Sequence, residues 1–315
     1  MDSVSHLIDL ARVRAALDKR CLLGSRTVMD VPAYGDAEAA FHFLLEGDCT
    51  LEVAGKSFAL TAGDAVLLPT SPPHRIRTAG AGRTRGVAET AGPSFDTIRS
   101  RVPAAEVMDL FCGHYTFGSP AGAMLLRSLP DPLIVSFGAE HETIRSLSAL
   151  LRQEALKHGP GTSAVLSSLC AALLAMLLGR STSRPAESAL WTAVDDVRIA
   201  RVIDAVLRDP GAMWSIEKLA AIAVMSRATF LRHFGKLTGG TVGTFLTTIR
   251  LMIAADLLAD RDLTVASIAA KVGYHSESAF TRAFTQATGT TPGRFRRSLA
   301  DGVQERRFIA RGVNA

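Results

Sequence analysis

Hydrophobic and polar positions follow three successive periods along the 315-residue chain. Between residues 25 and 135, short β-rich runs alternate with turn residues. The stretch FHFLLEGDCTLEVAGKSFALTAGDAVLLP predicts three or four strands, punctuated at Glu46-Gly47, Ala54-Gly55 and Gly63-Asp64. Short strands at close spacing predict a barrel or sandwich. The Gly-, Arg- and Thr-rich segment from Thr78 to Arg101 reads as a long, mobile connection. From Glu140 onward the period is helical: Ile144, Leu147, Leu150 and Leu151 recur at three- and four-residue steps, and this helix stops near His158-Gly159-Pro160. A second helix, from about Ser163 to Leu178, is apolar nearly all round and must be buried in a core or against another subunit. GRSTSRPAES, from Gly179 to Ser188, is a polar linker. Everything from Asp195 to about Leu299 is again helical by pattern.

Within that last region the sequence repeats itself. SRATFLRHFGKLTGGTV begins at Ser226, and SESAFTRAFTQATGTTP begins fifty residues later at Ser276. Phe230, Arg232, Phe234, Thr238, Gly239 and Thr241 match Phe280, Arg282, Phe284, Thr288, Gly289 and Thr291. Such fidelity means one supersecondary unit used twice. In each copy a short helix presents small apolar residues on one face: Leu219, Ala220 and Ala223, then Ile268, Ala269 and Val272. A tight turn follows, at Val224-Met225 and at Gly273-Tyr274. Ser226 and Ser276 are placed to N-cap the next helix, and Gly239 and Gly289 to end it. Two Phe residues four apart face inward, so Arg232 and Arg282 point away from the core. A helix, a short turn and a capped helix with an outward Arg make the helix-turn-helix plan, whose second helix enters the DNA major groove.

Charge sharpens this reading. The chain carries a net +5, but residues 1–194 hold 18 basic against 19 acidic side chains, while residues 195–315 hold 17 against 11. A near-neutral front and a basic back suggest that the back meets a polyanion. At 48% hydrophobic and 21% charged, the chain reads as soluble and globular, with length for roughly two domains. No uninterrupted apolar run is long enough for a membrane span, and the mixed N-terminus MDSVSHLIDLARVRAALDKR is not a signal peptide. Cys21, Cys49, Cys112 and Cys170 lie far apart, unlike a secreted disulfide scaffold, so the expected location is the cytoplasm.

WSIEKLAAIAVMSRATFLRHFGKLTG and LTVASIAAKVGYHSESAFTRAFTQATGTTPGRFR, joined by FLTTIRLMIAADLLAD, resemble the DNA-binding domain of the AraC/XylS family of bacterial transcription regulators. The resemblance covers about a third of the chain. It implies two helix-turn-helix units, held apart by the joining helix, that read successive major grooves. Carried over, the first reading helix offers Ala228, Thr229 and Arg232, and the second offers Ser278, Thr281 and Arg282. Arg binds guanine in bidentate fashion, and Arg227, Lys236 and Arg250 are expected at phosphates. Val242 departs from the family pattern, which has Pro there, as the second copy has Pro292; a less rigid exit from the first unit is the expected consequence.

In the front half, Gly63, Pro69, Thr70, Ser71 and His74 resemble the second cupin motif, with Ser71 where Gly is commoner. His42 alone stands near the position of that family's first His-x-His motif, and its Glu has no counterpart, which speaks against a cupin oxygenase or isomerase. FHFLLEGDCTLEV, GDAVLLP, LFCGHYTFG and RSLPDPL together resemble the cupin-type sensor domain found at the front of many AraC-family regulators. That resemblance draws attention to His42, Cys49, His74 and Cys112, a plausible tetrahedral zinc set that would staple a barrel rather than catalyse. The alternative is four ordinary buried side chains, since the spacings match no short zinc signature. His114 is a spare ligand, and nothing local marks Cys49 or Cys112 as a low-pKa redox thiol.

The expected architecture is α+β and multidomain. Residues 1–135 form a cupin-like sensor barrel, 136–190 a helical dimerisation segment and linker, 195–300 an all-α double helix-turn-helix domain, and 301–315 a basic tail. The expected function is sequence-specific transcription regulation, as an activator by family habit. The partners are promoter DNA, a small-molecule effector, RNA polymerase and a second copy of the chain docked through the helix from Ala164 to Leu178. Two rivals remain: a cupin metalloenzyme with a DNA-binding appendage, and a DNA-architectural protein that senses nothing.

Overall fold

A computed structural model describes residues 3–35, 38–102, 105–118, 129–138, 142–157, 159–180 and 196–299, with Gly122 and Leu126 between them. The linker beyond Arg180, His158 and the basic tail lie outside the described residues. The chain divides into two compact units, residues 13–118 with 129–184, and residues 1–12 with 119–128 and 185–315.

The first unit is a nearly closed barrel. Its strands are β1 (Val13–Gly24), β2 (Val28–Val31), β3 (Glu38–Val53), β4 (Lys56–Thr61), β5 (Asp64–Leu68), β6 (His74–Arg77), β7 (Val87–Thr90), β8 (Asp96–Ser100), β9 (Glu106–Phe117) and β10 (Leu133–Ser136). The sheet runs β10-β5-β3-β9-β1-β8-β7, with β4 and β6 on β3 and β2 on β6. Its 16-residue β3 belongs to both walls: Ala40–Phe43 pairs with β5, and Thr50–Val53 pairs with β4 and β6. The Glu46-Gly47 signal therefore marks a bend inside one strand, where register on β9 shifts between Leu44 and Glu46. Gly47 sits at φ +80°, and a Cβ there would lie 1.9 Å from the Val107 carbonyl oxygen. The other punctuation is a true hairpin: Ala54 and Gly55 both have positive φ, as a type I′ turn requires.

Thr78 to Arg101 is more ordered than its composition predicts. It contains the β7–β8 hairpin, and β8 runs parallel to β1, Cys21 opposite Ile98. Ile98 supplies the buried anchor among polar neighbours, too sparse a pattern to register as a strand in sequence.

Two helices cover one wall. Helix α2 (Glu142–Lys157) buries Ile144, Leu147, Leu151 and Ala155, while Leu150 stays 51% exposed. Helix α3 (Thr162–Arg180) packs on β1 and α2 through Leu166, Cys170, Leu173, Leu174, Leu177 and Leu178. The Tyr115 hydroxyl of β9 donates to the Cys170 carbonyl at 2.8 Å, and Phe41 stacks on the Tyr115 ring. By length and average hydropathy α3 would suffice to cross a bilayer. Packing within this unit buries about two fifths of that span.

The second unit is helical: α1 (Ser3–Ala11), α4 (Val197–Arg208), α5 (Ile216–Ile222), α6 (Arg227–Thr238), α7 (Val242–Leu257), α8 (Val265–Lys271), α9 (Glu277–Thr288) and a final helix α10 at residues 292–299. Helix α1 packs on α4 and Arg12 pairs with Asp256, so the N-terminal helix groups with this unit. The repeat is closely matched. Ser226 and Ser276 each accept a backbone N–H from three residues on at 3.2 Å. Gly239 and Gly289 close α6 and α9 in the left-handed region, at φ 66° and 75°.

The repeat also extends beyond its obvious motif. Phe230 packs on Phe234, which meets Phe245, and Phe280 packs on Phe284, which meets Phe295, again fifty residues apart. The Val242 departure has a mild outcome. Thr241 caps α7 by accepting the Thr244 N–H, and Val242 is buried at the first helical position, where Pro292 stands in the other copy. That position tolerates Pro because its N–H has no helical acceptor, and it tolerates Val equally.

Candidate DNA-reading helices and barrel site

The two helices expected to read DNA owe their orientation to the helices before them. Leu219, Ala220 and Ala223 in the first unit, and Ile268, Ala269 and Val272 in the second, pack beneath Phe230 and Phe234 or Phe280 and Phe284. With the phenylalanines inward, Ala228, Thr229, Arg232 and Lys236 are exposed on α6, as are Ser278 and Arg282 on α9, while Thr281 is half-buried. Glu277, Ser278, Thr281 and Arg282 line one open surface depression of about 820 Å³. Thr229 Oγ1 accepts a hydrogen bond from Ser226 Oγ, so its hydroxyl is partly committed to the cap.

The residues expected at phosphates separate into two kinds. Arg227 and Lys236 are exposed, with Arg227 in a surface ion pair to Glu217 at 3.2 Å; such a pair is weak and exchangeable. Arg250 is occupied otherwise. Its Nε donates to the Pro210 carbonyl at 2.9 Å and its Nη2 to that of Ala212 at 3.0 Å, tying α7 to the loop after α4. Arg296 does the same between α10 and the carbonyls of Leu258 and Leu263. Sequence pattern alone does not separate a surface Arg from one that satisfies loop carbonyls.

In the barrel, β3 brings His42, β6 brings His74 and β9 brings Cys112 to one place. Cys49, the fourth member of the expected set, lies farther along β3 opposite Leu60. Among the described residues no hydrogen bond joins it to either histidine, and no three His, Cys, Asp or Glu side chains converge on a point that would hold a metal ion. Its place is taken by Cys21 of β1, which sequence reading passed over. Cys21 Sγ lies 3.6 Å from Cys112 Sγ and 3.5 Å from Met29 Sδ. Alternation along β1, with Cys21 and Leu23 both buried, is the signal that could have found it.

These groups form a directed chain. The Pro72 carbonyl accepts only, so His74 Nδ1, 2.8 Å away, carries a hydrogen and its Nε2 is the acceptor. His42 Nε2, 2.7 Å from that acceptor, then donates, leaving His42 Nδ1 to accept from the Cys112 thiol at 3.1 Å. One backbone carbonyl thus fixes both tautomers. Electrostatics agree with a neutral chain. Burial holds His42 well below the ordinary histidine range, with His74 adding repulsion, and burial lowers His74 against the opposing Pro72 carbonyl and Asp131. The adjoining Cys21 sulfur and burial keep the Cys112 thiol protonated, and burial pushes Cys49 up to about 12.

His74 is also where the interior meets solvent. It lines an open cleft of about 660 Å³ with Asp30, Glu52, Lys56 and Arg75. Ser71 sets its approach: at φ +46° it takes a conformation that suits Gly, and its buried hydroxyl bonds Ala40 N, the Glu38 carbonyl and the Leu68 carbonyl. Those bonds hold Ser where the cupin pattern has Gly. His114 stands apart from this chain, paired with Asp18 at 2.8 Å; the same carboxylate oxygen accepts from the Tyr34 hydroxyl.

Comparison with known proteins agrees with this division of labour. A family profile described as Cupin matches residues 2–181, and one described as a helix-turn-helix domain matches residues 219–298. An HTH-type transcriptional regulator of Haemophilus influenzae is 30% identical over 301 residues, which is 95% of this chain and 100% of that protein. The RCS-specific HTH-type transcriptional activator RclR of Escherichia coli is 32% identical over 301 residues, 94% of this chain and 97% of that one. Among solved structures, the DNA-binding domain of AdpA in complex with a target DNA is 34% identical, covers 31% of this chain and 89% of that chain, and has a TM-score of 0.30. With a cupin-type domain in front of a double helix-turn-helix domain, the chain belongs to the AraC/XylS family of DNA-binding transcription regulators.

Proposed function

We propose that this regulator activates transcription by reading promoter DNA with α6 and α9 while its barrel senses a small ligand that enters by the His74 cleft. The observation that carries the reading is the matched pair of outward arginines, Arg232 and Arg282, each two residues past an inward Phe on a capped helix. Arg232 with Ala228, and Arg282 with Ser278 and Thr281, face base edges; Arg227 and Lys236 face phosphates. The regulator acts in the cytoplasm as a homodimer joined through the exposed side of α3, where Val165 is 44% exposed, and it contacts RNA polymerase once bound. Ligand binding changes promoter affinity only by favouring one arrangement of the dimer over another.

The test is fluorescence anisotropy with an operator selected from a random duplex pool, beside a scrambled duplex. Arg232→Ala and Arg282→Ala each weaken operator binding by about 1–3 kcal/mol and leave scrambled binding nearly unchanged. Equal losses on both duplexes would contradict base reading.

A further inference from the structure

The barrel core concentrates sulfur. Cys21, Met29, Cys49, Met108 and Cys112 all belong to one buried apolar cluster. Three of them touch in sequence, Met29 Sδ to Cys21 Sγ at 3.5 Å and Cys21 Sγ to Cys112 Sγ at 3.6 Å, with His42 Nδ1 at 3.1 Å from the last. We propose that Cys21 and Cys112, assisted by Met29, bind a soft monovalent metal ion, Cu(I), inside the barrel. This deepens the sensing reading by naming the ligand's chemistry.

Three features argue for that ion. Thiolate and thioether donors favour Cu(I), while carboxylate and water favour harder ions. The donor set contains a thioether and lacks a third converging His, Cys, Asp or Glu among the described residues, so it does not suit a closed tetrahedral zinc site. The spacing admits one shared ion. With a metal–sulfur bond of about 2.3 Å, two sulfurs this far apart bracket one ion at an S–metal–S angle of about 100°, and separating them by about 0.4 Å opens it to the roughly 120° of a three-coordinate site. Finally, Cys21, Met29 and Cys112 are each at most 4% exposed, which shields the bound ion from water and oxygen.

Binding exchanges protons for metal. Cu(I) and two thiols give a Cu(I) dithiolate and two protons, with no change of oxidation state. The directed chain supplies the exit. The Cys112 proton passes to His42 Nδ1, His42 Nε2 hands its own to His74 Nε2, and His74 releases one at the cleft it lines. The Cys21 proton goes to the basic ligand that carried the Cu(I) in and leaves with it.

The test is an anaerobic titration of the full-length reduced chain with Cu(I) against a chromogenic Cu(I) chelator, with ultraviolet thiolate-to-copper absorption as second readout. One Cu(I) per chain is expected, withheld from the chelator. Cys21→Ser and Cys112→Ser abolish it, Met29→Leu weakens it about tenfold, and Cys49→Ser and Cys170→Ser keep it. Circular dichroism of each variant separates a lost site from a lost fold, and Met29→Leu, which conserves volume, reads the site without emptying the core. Copper left entirely to the chelator, a site that survives Cys21→Ser, or displacement by equimolar Zn(II) would each overturn the proposal. Because metal is read directly, tight Cu(I) binding that leaves operator affinity unchanged would sink the sensing reading and leave the site standing.

Discussion

Val224 holds φ at +54° in the turn between α5 and α6, and it is 78% exposed. The equivalent place in the second unit is Gly273, at φ +83°. The backbone bonds are the same in both turns: Val224 N to Ala221 O and Met225 N to Ala220 O in one, Gly273 N to Ala270 O and Tyr274 N to Ala269 O in the other. A β-branched residue in the left-handed region costs roughly 1–2 kcal/mol, whereas Gly costs roughly 0.5–1 kcal/mol in backbone entropy. Val224→Gly is therefore expected to stabilise the helical unit by up to about 1 kcal/mol, measurable as a higher urea midpoint at unchanged slope. Arg250 invites the opposite experiment. Arg250→Ala leaves the Pro210 and Ala212 carbonyls without their donor, at a cost of about 1–3 kcal/mol in stability. It leaves the salt dependence of DNA binding unchanged, whereas Arg227→Ala lowers that slope by about 1. A reduced slope in Arg250→Ala with unaltered stability would return it to the phosphates.

At the scale of elements, caps and turns explain why helices begin where they do. Asp196 is the most heavily used cap. Its carboxylate accepts from Arg198 N and Ile199 N at the start of α4, pairs with the Arg198 guanidinium, and meets His233 Nε2 of α6 at 2.6 Å. The Arg198 contact, with His233 and the backbone N–H groups helping against partial burial, holds this carboxyl well below the usual carboxylate range. A depressed carboxylate contributes stability above its unfolded pKa, about 3.9, and loses that contribution as pH falls below it. Asp196→Ala should cost about 1–2 kcal/mol near neutrality, within the range for a lost N-cap. Asp196→Asn keeps cap geometry and should flatten the fall in stability below about pH 4. An identical acid limb in wild type and Asp196→Asn would exclude the linkage. Legibility at this scale was uneven. The caps Ser226, Ser276, Gly239 and Gly289 are local chemistry and were readable. The bulge at Gly47 depends on how β9 approaches β3, and the β7–β8 hairpin depends on pairing with β1, so neither left a local mark.

For the whole molecule, the excess of basic residues lies in the part that carries both helix-turn-helix units. Each phosphate neutralised releases counterions, so log K should fall linearly with log salt by about 0.9 per contact. The Arg227→Ala, Lys236→Ala double variant should lower that slope by about 2. A flat salt profile for the parent chain would remove the electrostatic basis of the DNA reading. The barrel obeys a different rule, since its interior is buried among apolar side chains and its polar groups must satisfy one another. The chain from the Pro72 carbonyl through His74 and His42 to Cys112 does so with single donors and acceptors in one direction.

The amino-acid sequence by itself determined whatever rests on neighbours within a few residues or on a fixed repeat: the double helix-turn-helix, its caps, its inward phenylalanines and outward arginines, and the barrel class of the front half. Those features follow from backbone periodicity and local hydrogen bonding, which a linear pattern encodes directly. Tertiary structure alone decided which distant side chains meet. Cys21 and Cys112 lie 91 residues apart and touch because β1 pairs with β9, with Lys19 opposite Cys112 and Cys21 opposite Leu110. Cys49, on the same strand as His42, misses it because seven residues of strand, at roughly 3.3 Å each, lie between them. Arg250 turned from the solvent because a loop forty residues earlier presented two carbonyls to it. Contacts of that kind are set by strand register and by the satisfaction of buried polar groups, neither of which has a signature along the chain.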